Sequence, residues 1–229
     1  WLAYNAPHTP FHLPPTDLHN RNLTGDEQDI TRNPRDYYLA AVEAFDSEIG
    51  RLLASMSEDM RANTTILFIG DNGTPGRAKD ENALVNGSKG SVYEGGIRVP
   101  MIVSGAGVSR IGERESALIN GTDFYTTILS LSGKSGESAH DSESFHALLS
   151  GEVSESPRSF IFSQSEEAYT IRNDRYKLIR NSDSSSVLYD LDSDPTEQND
   201  RYGDVSVSEV QQWLESKLEQ VIANENINE

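Results

Sequence analysis

The sequence predicts an α/β fold, and three observations lead to that class. Two apolar, β-branched segments, residues 64–69 and 100–104, are typical of strands buried in a parallel sheet. Apolar residues at helical spacing precede the first segment and follow the second. Beyond about residue 152 the pattern changes to short strands and one last helix. We therefore expect a mostly parallel sheet flanked by helices over residues 1–152, and a small antiparallel sheet with a packed helix over residues 153–229.

The first 33 residues are expected to hold one short buried strand, at residues 1–5, and then a long loop over residues 6–33. Asn33-Pro34 is typical of a helix start, because Asn caps the first turn and Pro fits its first position. The helix that follows carries an apolar stripe that we interpret as core: Tyr38, Val42, Phe45, Ile49, Leu52, Leu53 and Met56.

Later elements follow from the same kind of pattern. A second long loop, rich in glycine, covers residues 74–96, and residues 122–131 are predicted to form a helix closed by Gly133. The C-terminal strands are expected at residues 159–163, 168–172, 175–180 and 187–191, with Asn173-Asp174 as a hairpin turn. The last helix is predicted over residues 206–224, with Ser206 and Glu209 as a capping box.

Composition limits the function classes that remain. The 229 residues contain 19 Lys and Arg against 37 Asp and Glu, and a net charge of −18 repels nucleic acid and anionic lipid. The absence of cysteine excludes disulfides, zinc–thiolate sites and a cysteine nucleophile in this chain. No apolar run reaches the roughly 18 residues of a membrane helix. We expect neither nucleic-acid nor membrane partners, and the start at Trp1 instead of Met predicts that an N-terminal part is missing.

Polar residues follow the predicted strands, where ligands bind in open α/β sheets. His8 stands between two prolines that restrict its backbone, so its ring could hold an anion or protonate a leaving group, or it could be structural. Asp71 and Asn72 are hard oxygen ligands that suit Ca²⁺ or Mg²⁺, although Asp-Asn-Gly is also common in turns.

Lys89 lies in a glycine-rich segment, where the backbone can approach a ligand closely. Its ammonium group could neutralise an oxyanion, but a lone lysine is more often a solvated surface residue. Glu94 and Arg98 are one helical turn apart, and we interpret them as a structural pair.

Several segments carry a family resemblance when they are taken together and in order. They are Ala-Pro-His-Thr-Pro at 6–10, Asp-Asn-Gly at 71–73, Lys-Gly-Ser-Val-Tyr-Glu-Gly-Gly-Ile-Arg-Val-Pro at 89–100, the helical segment 38–53, and the tail segments 175–180, 188–191 and 194–195. This set resembles the type I, formylglycine-dependent sulfatases of the alkaline phosphatase-like superfamily. The resemblance covers nearly the whole chain, and segment 89–100 is its most specific part.

The resemblance implies an alkaline-phosphatase-like sandwich, of which this chain would carry the C-terminal portion. It implies that Asp71 and Asn72 bind a metal, usually Ca²⁺, and that His8 and Lys89 hold the sulfate group, one of them helping the leaving oxygen depart. It also implies a formylglycine nucleophile made from Cys or Ser in a C/S-x-P-x-R motif, and no such motif occurs here. The expected function is a sulfuric ester hydrolase acting on a sulfated carbohydrate, with this chain inactive by itself.

Two other functions remain open. The chain could belong to a phosphonate monoesterase or phosphodiesterase of the same superfamily, or it could be a non-catalytic subunit or binding module. A partner chain or oligomer that completes the sheet and the site is also expected. The resemblance favours a periplasmic or secreted protein.

Overall fold

The computed structural model describes residues 1–134 and 140–225. The chain divides into two compact units: Trp1–Thr64 with Thr74–Ala83, and Thr65–Gly73 with Leu84–Glu229. Each unit is a group of residues in mutual contact. The limits of these units differ from the predicted domain boundary near residue 152, which stays a prediction.

The first unit is helical. It contains α1 (Glu27–Arg32), α2 (Pro34–Ser55), α3 (Glu58–Ala62) and a single 3-10 turn, Gly76–Ala78. The predicted start of α2 is confirmed, with Pro34 in its first turn, but the Asn33 side chain does not cap that turn and donates instead to Asp29 Oδ1 at 2.7 Å. The loop predicted over residues 6–33 is wrong at its end, because α1 forms there with acidic residues in its first turn and Arg32 in its last, which complements the helix dipole.

The strand predicted at residues 1–5 is wrong. Trp1 and Leu2 are exposed, and this segment pairs with no strand in the described part of the chain. An apolar extended segment becomes a strand only when a neighbour satisfies its backbone hydrogen bonds. The segment ends instead in a turn, in which the His8 backbone N–H donates to the Asn5 carbonyl at 2.9 Å.

The buried face of α2 also differs from the predicted stripe. The buried residues are Tyr37, Ala40, Ala41 and Ala44, whereas the predicted apolar stripe is half-buried and Leu52 is exposed. Tyr37 is buried because the preceding segment covers it: its hydroxyl donates to Asp29 at 2.6 Å and accepts from the Gly25 N–H at 3.0 Å. Apolar spacing alone selected the larger side chains and not the small alanines that are buried.

The second unit begins with a two-stranded sheet. Strands β1 (Thr65–Ile69) and β2 (Met101–Gly105) lie where they were predicted. They pair antiparallel, with Ile69 opposite Met101, so the expected parallel direction is wrong for this pair. The expected burial is also wrong, because no residue of either strand is buried and Ile102 is 61% exposed. The connection between the strands leaves and returns at the same end of the sheet, which sets the antiparallel direction. The short helix α4 (Glu94–Ile97) lies in this connection, within the segment predicted as loop.

Two helices follow this sheet. α5 (Phe124–Leu131) begins after a 3-10 turn, Gly121–Asp123, and ends near Gly133, whose φ of 76° closes it as predicted. α6 (His146–Ser150) is short and ends at Gly151 in the left-handed conformation. The α/β class is therefore confirmed.

The C-terminal sheet is a four-stranded antiparallel meander, as predicted. Its strands are β3 (Ile161–Gln164), β4 (Ala168–Arg172), β5 (Tyr176–Asn181) and β6 (Ser186–Asp190). One face packs on α7 (Ser208–Glu225) through a core of Ile171, Leu178, Leu188, Val207, Leu214 and Leu218.

The helix that packs on this sheet is confirmed, but its predicted capping box is wrong. The side chain of Asp204 accepts from the Ser206 N–H at 2.9 Å and caps a 3-10 turn, Val205–Val207, that precedes α7. Asp204 lies two residues before the predicted cap, Ser206, and its side chain satisfies a free N–H group of the first turn.

Candidate functional site

Asp71 and Asn72 lie in a turn directly after β1. The ladder extends one step beyond the strand, since the Gly70 N–H donates to the Pro100 carbonyl at 3.0 Å. Asp71 is exposed, and its Oδ1 accepts from the Asn72 N–H at 2.9 Å. The Asn72 Nδ2 donates to the Gly73 carbonyl at 3.0 Å, which leaves Oδ1 as the atom of that amide that suits a cation. We refer to residues 70–73 as the Asp71 turn.

The donors of the Asp71 turn fit part of a hard-cation shell. Carboxylate and amide oxygens are ligands of Ca²⁺ and Mg²⁺, and Ca²⁺ takes about 6 to 8 oxygens. Among the described residues, no group of three or more His, Asp or Glu side chains could hold a metal. Asp71 and Asn72 can therefore supply two ligands, and the rest of the shell has to come from other groups.

Lys89 lies at the tip of a second turn, residues 88–91, which we call the Lys89 turn. The Ser91 N–H donates to the Ser88 carbonyl at 3.0 Å, and the Ser91 hydroxyl donates to the same carbonyl at 2.9 Å. Gly90 has a φ of 92°, which a residue with a side chain rarely adopts. Lys89 is exposed and forms no ion pair within the part of the chain that the structure describes. Its charge is thus available to a ligand.

Helix α4 joins the two turns. The Gly73 N–H of the Asp71 turn donates to the Gly96 carbonyl at 2.8 Å, and the Gly95 N–H donates to the Asn86 carbonyl, just before the Lys89 turn, at 2.7 Å. The approach is so close that a Cβ on Gly73 would lie 2.0 Å from the Gly95 carbonyl oxygen. The structure therefore brings Asp71, Asn72 and the backbone that carries Lys89 onto one short helix.

His8 belongs to the first compact unit, whereas Asp71, Asn72 and Lys89 belong to the second. Its ring Nδ1 lies 2.7 Å from the Thr9 carbonyl. A carbonyl only accepts, so this contact assigns the proton to Nδ1. Nε2 is then the atom that can bind an anion or transfer a proton when the ring is charged.

Sequence reasoning missed a buried charged cluster next to these turns. Glu94 on α4, Lys177 on β5 and Glu197 are 3%, 0% and 2% exposed. The Lys177 Nζ lies 3.0 Å from Glu94 Oε1 and 2.7 Å from Glu197 Oε1. The contact with Glu197 is an ion pair that lacks the alignment of a hydrogen bond. Burial raises the pKa of Glu197 above its ordinary value. We call these three residues the anchor cluster.

One sequence signal could have revealed the anchor cluster. In a strand, residues two apart lie on the same face, so Lys177 shares a face of β5 with Ile179, which is fully buried. A lysine on a buried face requires a carboxylate partner. The structural pairing predicted for Glu94 and Arg98 is present but long, at 4.0 Å, and the primary partner of Glu94 is Lys177.

No helix among residues 1–134 and 140–225 is both long enough and apolar enough to span a bilayer.

Comparison with known proteins identifies two matching family models. The sulfatase model matches residues 1–134, and the model of the C-terminal part of N-sulphoglucosamine sulphohydrolase matches residues 88–224. The chain is 29% identical to arylsulfatase K of Gallus gallus over 223 residues, covering 86% of this chain and 38% of that protein.

Two solved structures show the same fold. A protein in complex with its substrate D-glucosamine-2-N,6-O-disulfate matches with a TM-score of 0.66 and 26% identity, over 80% of this chain and 39% of that one. A phosphonate monoester hydrolase from Silicibacter pomeroyi matches with a TM-score of 0.66 and 22% identity, over 91% of this chain and 44% of that one. The chain thus spans less than half the length of these relatives.

Proposed function

Because the chain belongs to the sulfatase family, we propose that it forms part of a sulfuric ester hydrolase and holds the sulfate group of the substrate. One observation supports this proposal above the others. The Asp71 turn and the Lys89 turn are both built on helix α4, so oxygen ligands for a cation and a free ammonium group share one support. That combination suits a bound sulfate ester, whose oxygens carry negative charge.

In the proposed site, Asp71 and Asn72 hold Ca²⁺, with Mg²⁺ as the alternative. A bound divalent cation polarises the sulfuryl oxygens and stabilises the negative charge that develops on them. Asp71 and Asn72 would supply two oxygen ligands to this cation from the turn after β1. The exposed position of Asp71 leaves room for further ligands from other groups.

Lys89 and His8 are proposed to bind the sulfate directly. Lys89 donates from its ammonium group, and His8 donates from Nε2 when its ring is protonated. Both side chains are exposed in this chain, and their charges would act more strongly once a bound ester excludes water from them. Local cations of this kind allow a chain with a net charge of −18 to hold an anion.

The sequence contains no C/S-x-P-x-R motif, so none of its residues fits the role of the formylglycine precursor. We therefore propose that this chain binds a sulfate ester but does not turn it over by itself. An aryl sulfate assay of the isolated chain with Ca²⁺ is expected to show no saturable hydrolysis. Clear saturable hydrolysis would refute this part of the proposal.

A sulfated carbohydrate is the proposed substrate class. The support is the 26% identical protein whose substrate is a disulfated glucosamine. We also propose secretion or export to a periplasm, and a partner chain or oligomer that completes the site. We further propose a catalytic part over residues 1–152 and a small C-terminal subdomain over residues 153–229.

The alternatives receive less support. The likeness to a phosphonate monoester hydrolase, at 22% identity, concerns the fold and does not favour cleavage of phosphonates here. A non-catalytic binding module would share the site but not the reaction. Relative rates on sulfate and phosphate esters, measured on a protein with the nucleophile in place, separate these functions.

Calorimetric titration with Ca²⁺ tests the metal part of the site. We expect saturable binding that weakens about tenfold in Asp71→Asn, because the substitution removes a charged ligand. Asp174→Asn is the matched control, since Asp174 is an exposed turn aspartate outside the site, and its binding should equal that of the wild type. Equal Ca²⁺ affinity in all three proteins would contradict the assignment of Asp71.

A further inference from the structure

The anchor cluster lies behind the proposed sulfate site. Lys177 belongs to the C-terminal sheet, whereas Glu94 opens helix α4, on which the Asp71 turn and the Lys89 turn both depend. We propose that Lys177 and Glu197 are positioning residues: they hold α4, and through it Lys89, in the geometry that binds sulfate. This inference rests on the proposed function and extends it to residues that touch neither metal nor sulfate.

Glu197 fixes the segment before and within α4 at two further points. Its Oε2 accepts from the Glu94 N–H at 2.8 Å, and its backbone carbonyl accepts from the Asn86 Nδ2 at 3.2 Å. Glu197 itself has a φ of 57°, a left-handed conformation that is unfavourable for a residue with a side chain. The surrounding hydrogen bonds thus hold Glu197 in place, and Glu197 in turn holds both ends of residues 86–94.

Apolar packing adds to these polar contacts. Val92, between the Lys89 turn and α4, is 2% exposed and packs with Ala168, Ile179 and Tyr189. These three residues form the face of the C-terminal sheet opposite α7. Val92 and the anchor cluster therefore hold the Lys89 turn against the C-terminal sheet.

The composition of the anchor cluster favours positioning over simple stabilisation. One buried ammonium faces two buried carboxylates, and the Arg172 guanidinium lies 3.7 Å from Glu94 Oε2. Desolvation offsets much of the attraction in such a cluster, so an apolar replacement of similar volume often stabilises a protein equally well. Directional contacts to Glu94 and Asn86, by contrast, define where the backbone of α4 lies.

Amide hydrogen exchange of the whole chain tests the proposal with Glu197→Gln. The variant keeps an acceptor for the Glu94 N–H but removes a charge that faces Lys177. We expect the Gly73, Gly95 and Gly96 amides to exchange at least about tenfold faster than in the wild type. Sulfate affinity, measured by calorimetry with inorganic sulfate, should fall with them.

Asp190→Asn is the matched control. Asp190 is another buried carboxylate of the same sheet, and its side chain pairs with Arg175, outside residues 86–97. The control should lower thermal stability while leaving those three amides and the sulfate affinity unchanged. Equal acceleration in both variants, or faster exchange in Glu197→Gln with unchanged sulfate affinity, would reduce the cluster to a structural role and overturn the proposal.

Asn86→Asp provides a second variant if Glu197→Gln does not fold. It keeps the acceptor for the Gly87 N–H but removes the donor to the Glu197 carbonyl, so the same amides should exchange faster. Unchanged exchange in this variant would count against the proposal. If the wild type binds no sulfate, the proposed function fails, while the exchange comparison still decides whether the cluster holds α4.

Discussion

The two sheets of the second unit differ in what they bury. In the four-stranded sheet, Ile171, Leu178 and Leu188 are fully buried beneath α7. In the two-stranded sheet, no residue of β1 or β2 is fully buried, and Ile102 is 61% exposed. The smaller sheet nevertheless carries the Asp71 turn at its end.

This difference separates the well-packed sheet from the sheet that bears part of the proposed site. The four-stranded sheet has a continuous apolar core and needs no ligand to explain its packing. The two-stranded sheet has little core of its own, and two strands alone are marginally stable in water. The Asp71 turn and the Lys89 turn are instead held to the larger sheet through α4, Val92 and the anchor cluster.

The largest effect is expected from removing the buried amine of the anchor cluster. Lys177→Met removes the cation that faces both Glu197 and Glu94 and leaves Glu94 only its longer contacts with arginines, which should lower the free energy of unfolding by about 3–5 kcal/mol. Lys89→Met is the matched control, because the same substitution at an exposed lysine should leave the unfolding midpoint unchanged. Urea denaturation measures the unfolding midpoint of both variants. Similar midpoints would contradict the claim that Lys177 stabilises the fold and Lys89 does not.

A smaller effect is expected from the apolar core of the larger sheet. Leu178→Ala removes a fully buried side chain and should cost about 3 kcal/mol, since it loses transfer free energy and leaves a cavity. Ile102→Ala, in the smaller sheet, should cost less than about 0.5 kcal/mol because the side chain is mostly exposed. Comparable losses in urea denaturation would show that the two sheets contribute alike.

The smallest effect concerns acid stability of the larger sheet. Arg175 donates to both carboxylate oxygens of Asp190, at 2.9 and 2.7 Å, and holds the pKa of Asp190 well below its ordinary value of 3.8. A carboxylate with a lowered pKa stabilises the fold above pH 3.8, and this contribution is lost as the pH falls below that value.

Asp190→Asn should therefore weaken the dependence of the melting temperature on pH in the acid range, because the titrating carboxylate is absent. Asp174→Asn is the control with an exposed aspartate, and its acid dependence should match that of the wild type. Melting curves at a series of pH values provide the measurement. Identical acid dependence in wild type and Asp190→Asn would contradict the role of this pair.

The parts that sequence predicted best are those set by local pattern. Strand β4 was predicted at the residues where it forms, because alternation and the Asn173-Asp174 turn define it locally. The helix on the C-terminal sheet was predicted from its apolar stripe, of which Leu214 and Leu218 are fully buried.

The parts that sequence could not predict depend on distant contacts. Residues 1–5 look like a strand but pair with none in the described chain, and the antiparallel direction of β1 and β2 is set by where a long connection returns. The burial of Lys177 depends on Glu94, 83 residues earlier in the chain. Asp71, Asn72, Lys89 and His8 were selected by motif, and their roles remain predictions.

Lysine acylation footprinting tests the central claim most directly, namely that Lys89 binds the sulfate group. The chain is treated with an amine-reactive reagent, with Ca²⁺ and with or without sulfate at matched ionic strength, and each lysine is quantified by mass spectrometry. Lys134, also exposed, is the internal reference. We predict that sulfate slows acylation of Lys89 while Lys134 reacts at its original rate; equal rates at Lys89 with and without sulfate would contradict binding of sulfate by Lys89.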